Sequence, residues 1–93
     1  MSKKPLFPLG QVVATPGAIE VMKEAGQSSA ELLQRHVTGD WGNVPPEDAS
    51  ENDLSVREGF RILSSYKLKT GVKIWVITEA DRSATTFLLP SEY

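Results

Sequence analysis

His36 is the only histidine in this 93-residue chain, so any reaction that needs an imidazole near neutral pH has to use it. It is followed closely by Gly39, Asp40 and Trp41. In that grouping a general acid, or a ring that binds phosphate, would stand beside a carboxylate and an aromatic platform. A histidine at the C-terminal end of a helix also has a plainer use, because there it bonds the last carbonyls and meets the negative end of the dipole. Dipole placement accounts for His36 without invoking catalysis. Trp41, in a loop punctuated by Gly39 and Gly42, would stack on a base or sugar if exposed. With no basic neighbours, its expected role is to fold back and anchor the loop.

A second concentration of chemistry lies at Glu79-Ala80-Asp81-Arg82-Ser83. Here Glu79 would serve as a general base and Arg82 as a phosphate clamp. Two acids, a guanidinium and a hydroxyl are also the ordinary composition of a hydrophilic β-turn. Charge is distributed unevenly just before it. Between Arg57 and Thr78 the basic residues are Arg57, Arg61, Lys67, Lys69 and Lys73 and the only acid is Glu58, whereas Glu47, Asp48, Glu51 and Asp53 come immediately before. Such polarity suits a basic sheet face offered to RNA, DNA or an acidic protein. It equally suits lysines that guard strand edges against aggregation. The candidate binding residues are therefore Asp40, Trp41, Arg61, Lys73, Asp81 and Arg82, and the candidate catalytic residues are His36, Glu79 and Arg82.

Other chemistries are missing. The chain has no cysteine, which excludes a disulfide scaffold, a thiol nucleophile and a thiolate zinc site. It has no phosphate-cradling glycine loop, no G-x-G-x-x-G and no HExxH, so no cofactor is expected. His36 with Asp40 supplies only two metal ligands at sensible spacing, and a hydrolase triad would have a single histidine to choose.

The elements that must position these groups are legible. Gly10 to Ala14 reads as a short strand stopped by Thr15-Pro16-Gly17, with Thr15 capping a helix whose first turn tolerates Pro16. Ile19, Val21, Met22 and Ala25 give that helix its apolar stripe, and Gly26 ends it. Ser28-Ser29-Ala30-Glu31 is a capping-box sequence opening a second helix with Leu32 and Leu33 on its buried side. Pro45-Pro46-Glu47-Asp48 opens a third, ended by Gly59. Residues 60–67, 72–78 and 83–89 then read as three strands of a meander, rich in β-branched and aromatic residues and separated by turn chemistry. Large apolar groups on both faces of the middle strand make it central.

The expected fold class is α+β: an antiparallel sheet, from a short N-terminal strand plus a C-terminal three-stranded meander, with two to three helices packed on one face. One domain spans 1–93, with 1–8 a flexible N-terminal tail. A composition of 40% apolar and 24% charged residues is that of a folded globular protein. No stretch approaches the roughly 20 apolar residues of a membrane span, so no membrane partner and a cytoplasmic location are expected. A net charge of −2 disfavours a strong non-specific polyanion binder but leaves room for a local basic patch.

Two stretches carry a resemblance. Arg35-His36-Val37-Thr38-Gly39-Asp40-Trp41-Gly42, and Lys73 to Thr86 running into Leu88-Leu89-Pro90-Ser91-Glu92-Tyr93, resemble a family of small bacterial proteins described as plasmid-related or hypothetical, some carried on plasmids and prophages. The resemblance covers most of the chain from Gly10 onward. It implies a mobile-element protein without implying an activity. The element order is also similar to that of microbial ribonucleases and RelE-like toxins. That architectural likeness would make His36 the acid, Glu79 the base, and Arg61 or Arg82 the phosphate stabiliser, although no sequence motif of those enzymes is present. The leading expectation is a non-enzymatic accessory protein that binds a protein or nucleic-acid partner through the sheet face or the Gly39–Asn43 loop. An RNA-cleaving enzyme and a structural subunit of a homo-oligomer are the competing expectations.

Overall fold

The computed structural model describes residues 4–93. Its helices begin where capping chemistry places them. The Thr15 hydroxyl accepts the Ala18 amide at 3.0 Å and opens α1, Pro16–Ala25. The Ser28 hydroxyl accepts the Glu31 amide and opens α2, Ser29–Val37. The reciprocal arm of the expected capping box is diverted, because the Glu31 carboxylate takes the Gln27 side-chain amide at 3.0 Å. Helix α3, Pro46–Glu58, has Pro46 at its first position behind Pro45 and stops at Gly59 in the left-handed region. The strands are β1 Gln11–Ala14, β2 Ile62–Lys67, β3 Lys73–Thr78 and β4 Ala84–Leu88, followed by a single 3-10 turn, Pro90–Glu92.

The domain is α+β, with one four-stranded sheet in the order β1-β4-β3-β2. β2, β3 and β4 form the expected antiparallel meander, but β1 joins β4 in parallel. The sheet is therefore mixed, not antiparallel throughout. Apolar alternation is blind to strand direction, so the direction of β1 follows from its surroundings. The Gln11 amide donates to Ser83 and the Thr15 amide to Phe87, at 3.0 Å each, which delivers the chain into α1 against β4.

Side-chain parity divides the sheet. Ile62, Ser64, Tyr66, Ile74, Val76, Thr78, Thr85 and Phe87 share the inner face, where Met22 of α1 and Leu32 of α2 close the main core. A second cluster joins Phe7, Val37, Trp41 and Ile62, with Ala49 and Val56 of α3 packed against it. Leu63, Ser65, Lys67, Lys73, Trp75 and Ile77 share the outer face, on which the Pro90–Glu92 turn rests against β3.

The segment expected as a flexible tail is built into the fold from Leu6 onward. Phe7 is a core residue, the Leu6 amide donates to Val37 at 2.8 Å, and the Leu9 carbonyl accepts from Thr85. Burying the phenyl ring, on the order of 2–3 kcal/mol, and the main-chain bonds at Leu6 and Leu9 together offset the ordering of this segment. Residues 1–3 of that expected tail lie outside the described residues.

Both margins of β2 are occupied. The Trp41–Asn43 loop runs alongside it: the Ser65 amide donates to the Trp41 carbonyl at 3.1 Å, and the Asn43 amide donates to the Ser65 carbonyl at 2.6 Å. Gly42, at φ 76°, permits this approach, since a Cβ there would collide with the Ser65 carbonyl and the Tyr66 ring. Nearer the other end of β2, Asn52 of α3 bonds the Leu63 amide and carbonyl together. The sheet edge on this side is thereby covered.

Candidate functional site

His36 sits on the last turn of α2 and is 0% exposed. Its Nδ1 lies 2.6 Å from Ser64 Oγ and its Nε2 2.9 Å from Thr78 Oγ1. The direction of every bond in this chain follows from its far end. Thr85 Oγ1 must donate to the Leu9 carbonyl, 2.7 Å away, so it accepts from Thr78, also at 2.7 Å. Thr78 then accepts from His36 Nε2–H, and Ser64 donates to Nδ1. The imidazole is a neutral Nε2–H tautomer with both nitrogens engaged. Phe7 meets the ring edge-on at 5.3 Å and Trp41 at 6.0 Å. Burial pushes the pKa from 6.5 down to about 4, because no charged partner among the described residues repays the desolvation of an imidazolium. A general acid must reach substrate, and this ring is sealed inside the domain. Its role in the fold is also not the carbonyl bonding expected of a helix-end histidine.

Trp41 is the anchor its surroundings suggested: it is buried, stacks on Phe7 at 6.3 Å, and donates its indole N–H to Asp53 at 3.1 Å. Asp40 is exposed and bonds Arg35 Nε at 2.8 Å while accepting the Gly42 amide, which shapes the turn. The guanidinium of Arg35 lies 4.5 Å over the Tyr66 ring, and its bond to Asp40 raises its pKa further. Tyr66 donates to the Asp40 carbonyl at 2.6 Å, and burial pushes its phenol up.

The Glu79–Ser83 turn is structural in the same way. Arg82 takes φ 60°, and its guanidinium donates to the carbonyls of Ser55, Phe60 and Glu79 at 2.8, 2.7 and 3.2 Å. Ser55 and Phe60 bracket the end of α3, so Arg82 ties the β3–β4 turn to that helix terminus and supplies positive charge where the dipole favours it. Hydrogen bonds from Ser83 hold the exposed Asp81 carboxyl below its ordinary value. Glu79 is exposed. The structure thus brings Arg82 to helix carbonyls and His36 to hydroxyls, and does not join His36, Asp40, Glu79 and Arg82 around one cleft.

The outer sheet face offers a different arrangement. A groove of about 380 Å³ is lined by Asn43, Val44, Pro45, Asp48, Leu63, Ser65, Lys73, Trp75 and Pro90. Lys73 is exposed and faces Lys67 directly across the β2–β3 pair. Trp75, the next residue on this face, is half-buried and stands opposite Ser65. Tyr93 meets the Trp75 ring at 5.5 Å and remains 64% exposed, with the Arg61 guanidinium 5.4 Å over it. Among the described residues, Arg61, Lys67 and Lys73 form no salt bridge. No group of three or more His, Asp or Glu there could hold a metal ion, and no helix is long and apolar enough to cross a membrane.

No protein-family model, curated protein or solved structure matches the chain. The site therefore rests on its own geometry. Of the candidate binding residues, Arg61 and Lys73 fall on this outer face, whereas Asp40, Trp41, Asp81 and Arg82 serve the loops that frame the sheet. Sequence reasoning places Lys67 in the basic stretch but not among the candidate binding residues, and does not single out Trp75 and Tyr93 as site residues. The signal was present for Lys67, since pairing outward from the Leu68–Val72 hairpin sets 67 against 73. Tyr93 gave no local signal; only the turn at Pro90 brings it back to Trp75.

Proposed function

We propose that this chain is an accessory interaction protein of a bacterial mobile element, acting in the cytoplasm and binding a protein or nucleic-acid partner through the outer face of its sheet. The mobile-element assignment rests on the resemblance of residues 35–42 and 73–93 to plasmid-related proteins. The binding assignment rests on one contrast. The imidazole that catalysis would need is enclosed within the domain, while an aromatic pair and three cations that form no salt bridge among the described residues stand together on the surface. Buried, hydrogen-bonded polar groups maintain a fold; exposed aromatic and cationic groups gathered on one face mark an interaction surface.

The test compares what co-purifies with the tagged wild-type chain and with two folded variants. One is altered on the outer face, Lys73→Glu with Trp75→Ala, and one on α1, Ile19→Ser with Glu20→Lys. Retention of a partner by the wild type and the α1 variant, and its loss from the face variant, is the expected result. Loss from the α1 variant alone would place binding elsewhere. The element assignment is checked by sequencing the DNA flanking the coding region, where replication, transfer or prophage genes are expected. Flanks made only of chromosomal housekeeping genes would overturn it.

A further inference from the structure

Resting on that reading of the outer face, we propose that its partner is a single-stranded nucleic acid, with a backbone phosphate held between Lys67 and Lys73 and the adjoining base stacked on Trp75.

The first observation is electrostatic. Lys67 and Lys73 are register partners on the same face of an antiparallel pair, both exposed and neither in a salt bridge among the described residues. Like charges set directly opposite destabilise a sheet. An anion placed between them reverses that repulsion, and a phosphate accepts from two ammonium groups at once. The chain's net charge of −2 gives no general attraction for polyanions, so the attraction is local to this hairpin.

The second observation is the ring beside that pair. Trp75 lies two residues along β3 from Lys73, a rise of about 7 Å, on the same face. Its partly exposed indole flanks a groove bounded by Pro45 and Pro90. A groove of about 380 Å³ lies within the range that holds one small aromatic ligand. Asp48 on its wall repels a phosphate from that side and suits the donor edge of a base, an amino group or the ring N3–H of thymine and uracil. The orientation is therefore set, with the phosphate at the lysines and the base within.

The third observation is continuity. Beyond Trp75 come Tyr93, largely exposed, and Arg61 over its ring, so a second stacking surface and a second cation follow the first. Cations at both ends of an open groove fit a strand that enters and leaves. Duplex bases present no free face to Trp75, whereas single strands stack on aromatic platforms whatever their sequence.

The experiment titrates the isotope-labelled chain with oligothymidylate and oligouridylate at low and moderate salt. Shifts are expected at the Trp75 indole and at the Ser65, Lys67 and Lys73 amides, with the Trp41 indole unmoved. Affinity should fall with salt at a slope of about −0.7 per phosphate contacted. Trp75→Ala should weaken binding by on the order of tenfold or more, while Trp75→Phe, which keeps an aromatic face, retains most of it. Lys67→Glu should weaken binding and yet raise the unfolding midpoint, because it turns a like-charge pair into an opposite-charge one. A purely structural lysine would not produce that split. Equal affinity for thymidine monophosphate and the oligomer would overturn the strand. Binding of oligoglutamate at the lysines without a Trp75 response, and none of oligonucleotides, would overturn the nucleic-acid class while leaving the face intact as an interaction surface. Oligonucleotide shifts centred on β1 or α1 would overturn this inference and the outer-face reading together.

Discussion

His36 Nε2 donates to Thr78 Oγ1 at 2.9 Å, and through Thr78 the ring is joined to Thr85 and the Leu9 carbonyl. The single imidazole of the chain thus links α2, β3, β4 and the N-terminal segment.

Acid should weaken this link. The folded pKa of His36 is about 4 against 6.5 for the free side chain, so between those values the unfolded chain binds the extra proton. Stability is therefore full above pH 6.5 and falls as the pH drops, by about 3 kcal/mol on reaching pH 4. Urea unfolding across that range measures the loss, and imidazole nitrogen shifts report the tautomer. A titration midpoint near 6.5 in the folded protein would contradict the buried neutral ring.

Arg82→Ala removes three charge-assisted bonds to main-chain carbonyls and should cost about 2–4 kcal/mol. Arg82→Gly loses the same bonds but relieves the strain of φ 60°, so it should be the milder change by about 1 kcal/mol. Denaturant midpoints of the two variants decide the order. A glycine variant less stable than alanine would contradict the strained left-handed backbone at this position.

Asn52 fills the place of a neighbouring strand, donating to the Leu63 carbonyl at 2.8 Å and accepting the Leu63 amide at 3.2 Å. Asn52→Asp keeps the shape but replaces a donor by an acceptor beside a carbonyl. A loss of about 2–3 kcal/mol is expected, together with faster exchange of the Leu63 amide. Protection of that amide unchanged in the variant would show that Asn52 does not guard the edge.

The two tryptophans should respond differently to solvent. Trp41 is buried and bonded to Asp53, whereas Trp75 is half-buried on the outer face. Acrylamide is expected to quench the Trp41→Phe variant, which retains Trp75, more strongly than the Trp75→Phe variant. Removing the Trp41 ring altogether, as Trp41→Ala, should cost about 3–5 kcal/mol. Equal quenching of the two variants would sink the assignment.

The elements were legible because their signals are local. Thr15 and Ser28 cap helices whichever way those helices later pack, and Gly26 and Gly59 end them through backbone freedom that needs no partner. The alternation of β3 between Ile74, Val76 and Lys73, Trp75 likewise specified two faces and a central strand. What stayed hidden was non-local. The parallel docking of β1 on β4, the burial of Phe7, and the return of Tyr93 to Trp75 each join residues far apart in the chain.

The candidate site divides along the same line. By itself the sequence determined which groups exist: one histidine, no thiol, a cationic hairpin, and a polar turn before the last strand. Composition and local geometry are enough for that. Only the tertiary structure decided their use, because burial and charge pairing depend on every element at once. It closed His36 behind Phe7 and Trp41, turned Arg82 toward the end of α3, and left Lys67, Lys73 and Trp75 together on the outer face. A side chain sealed from water gives its hydrogen bonds to the fold; one left at the surface beside an unmatched charge has them to give to a partner.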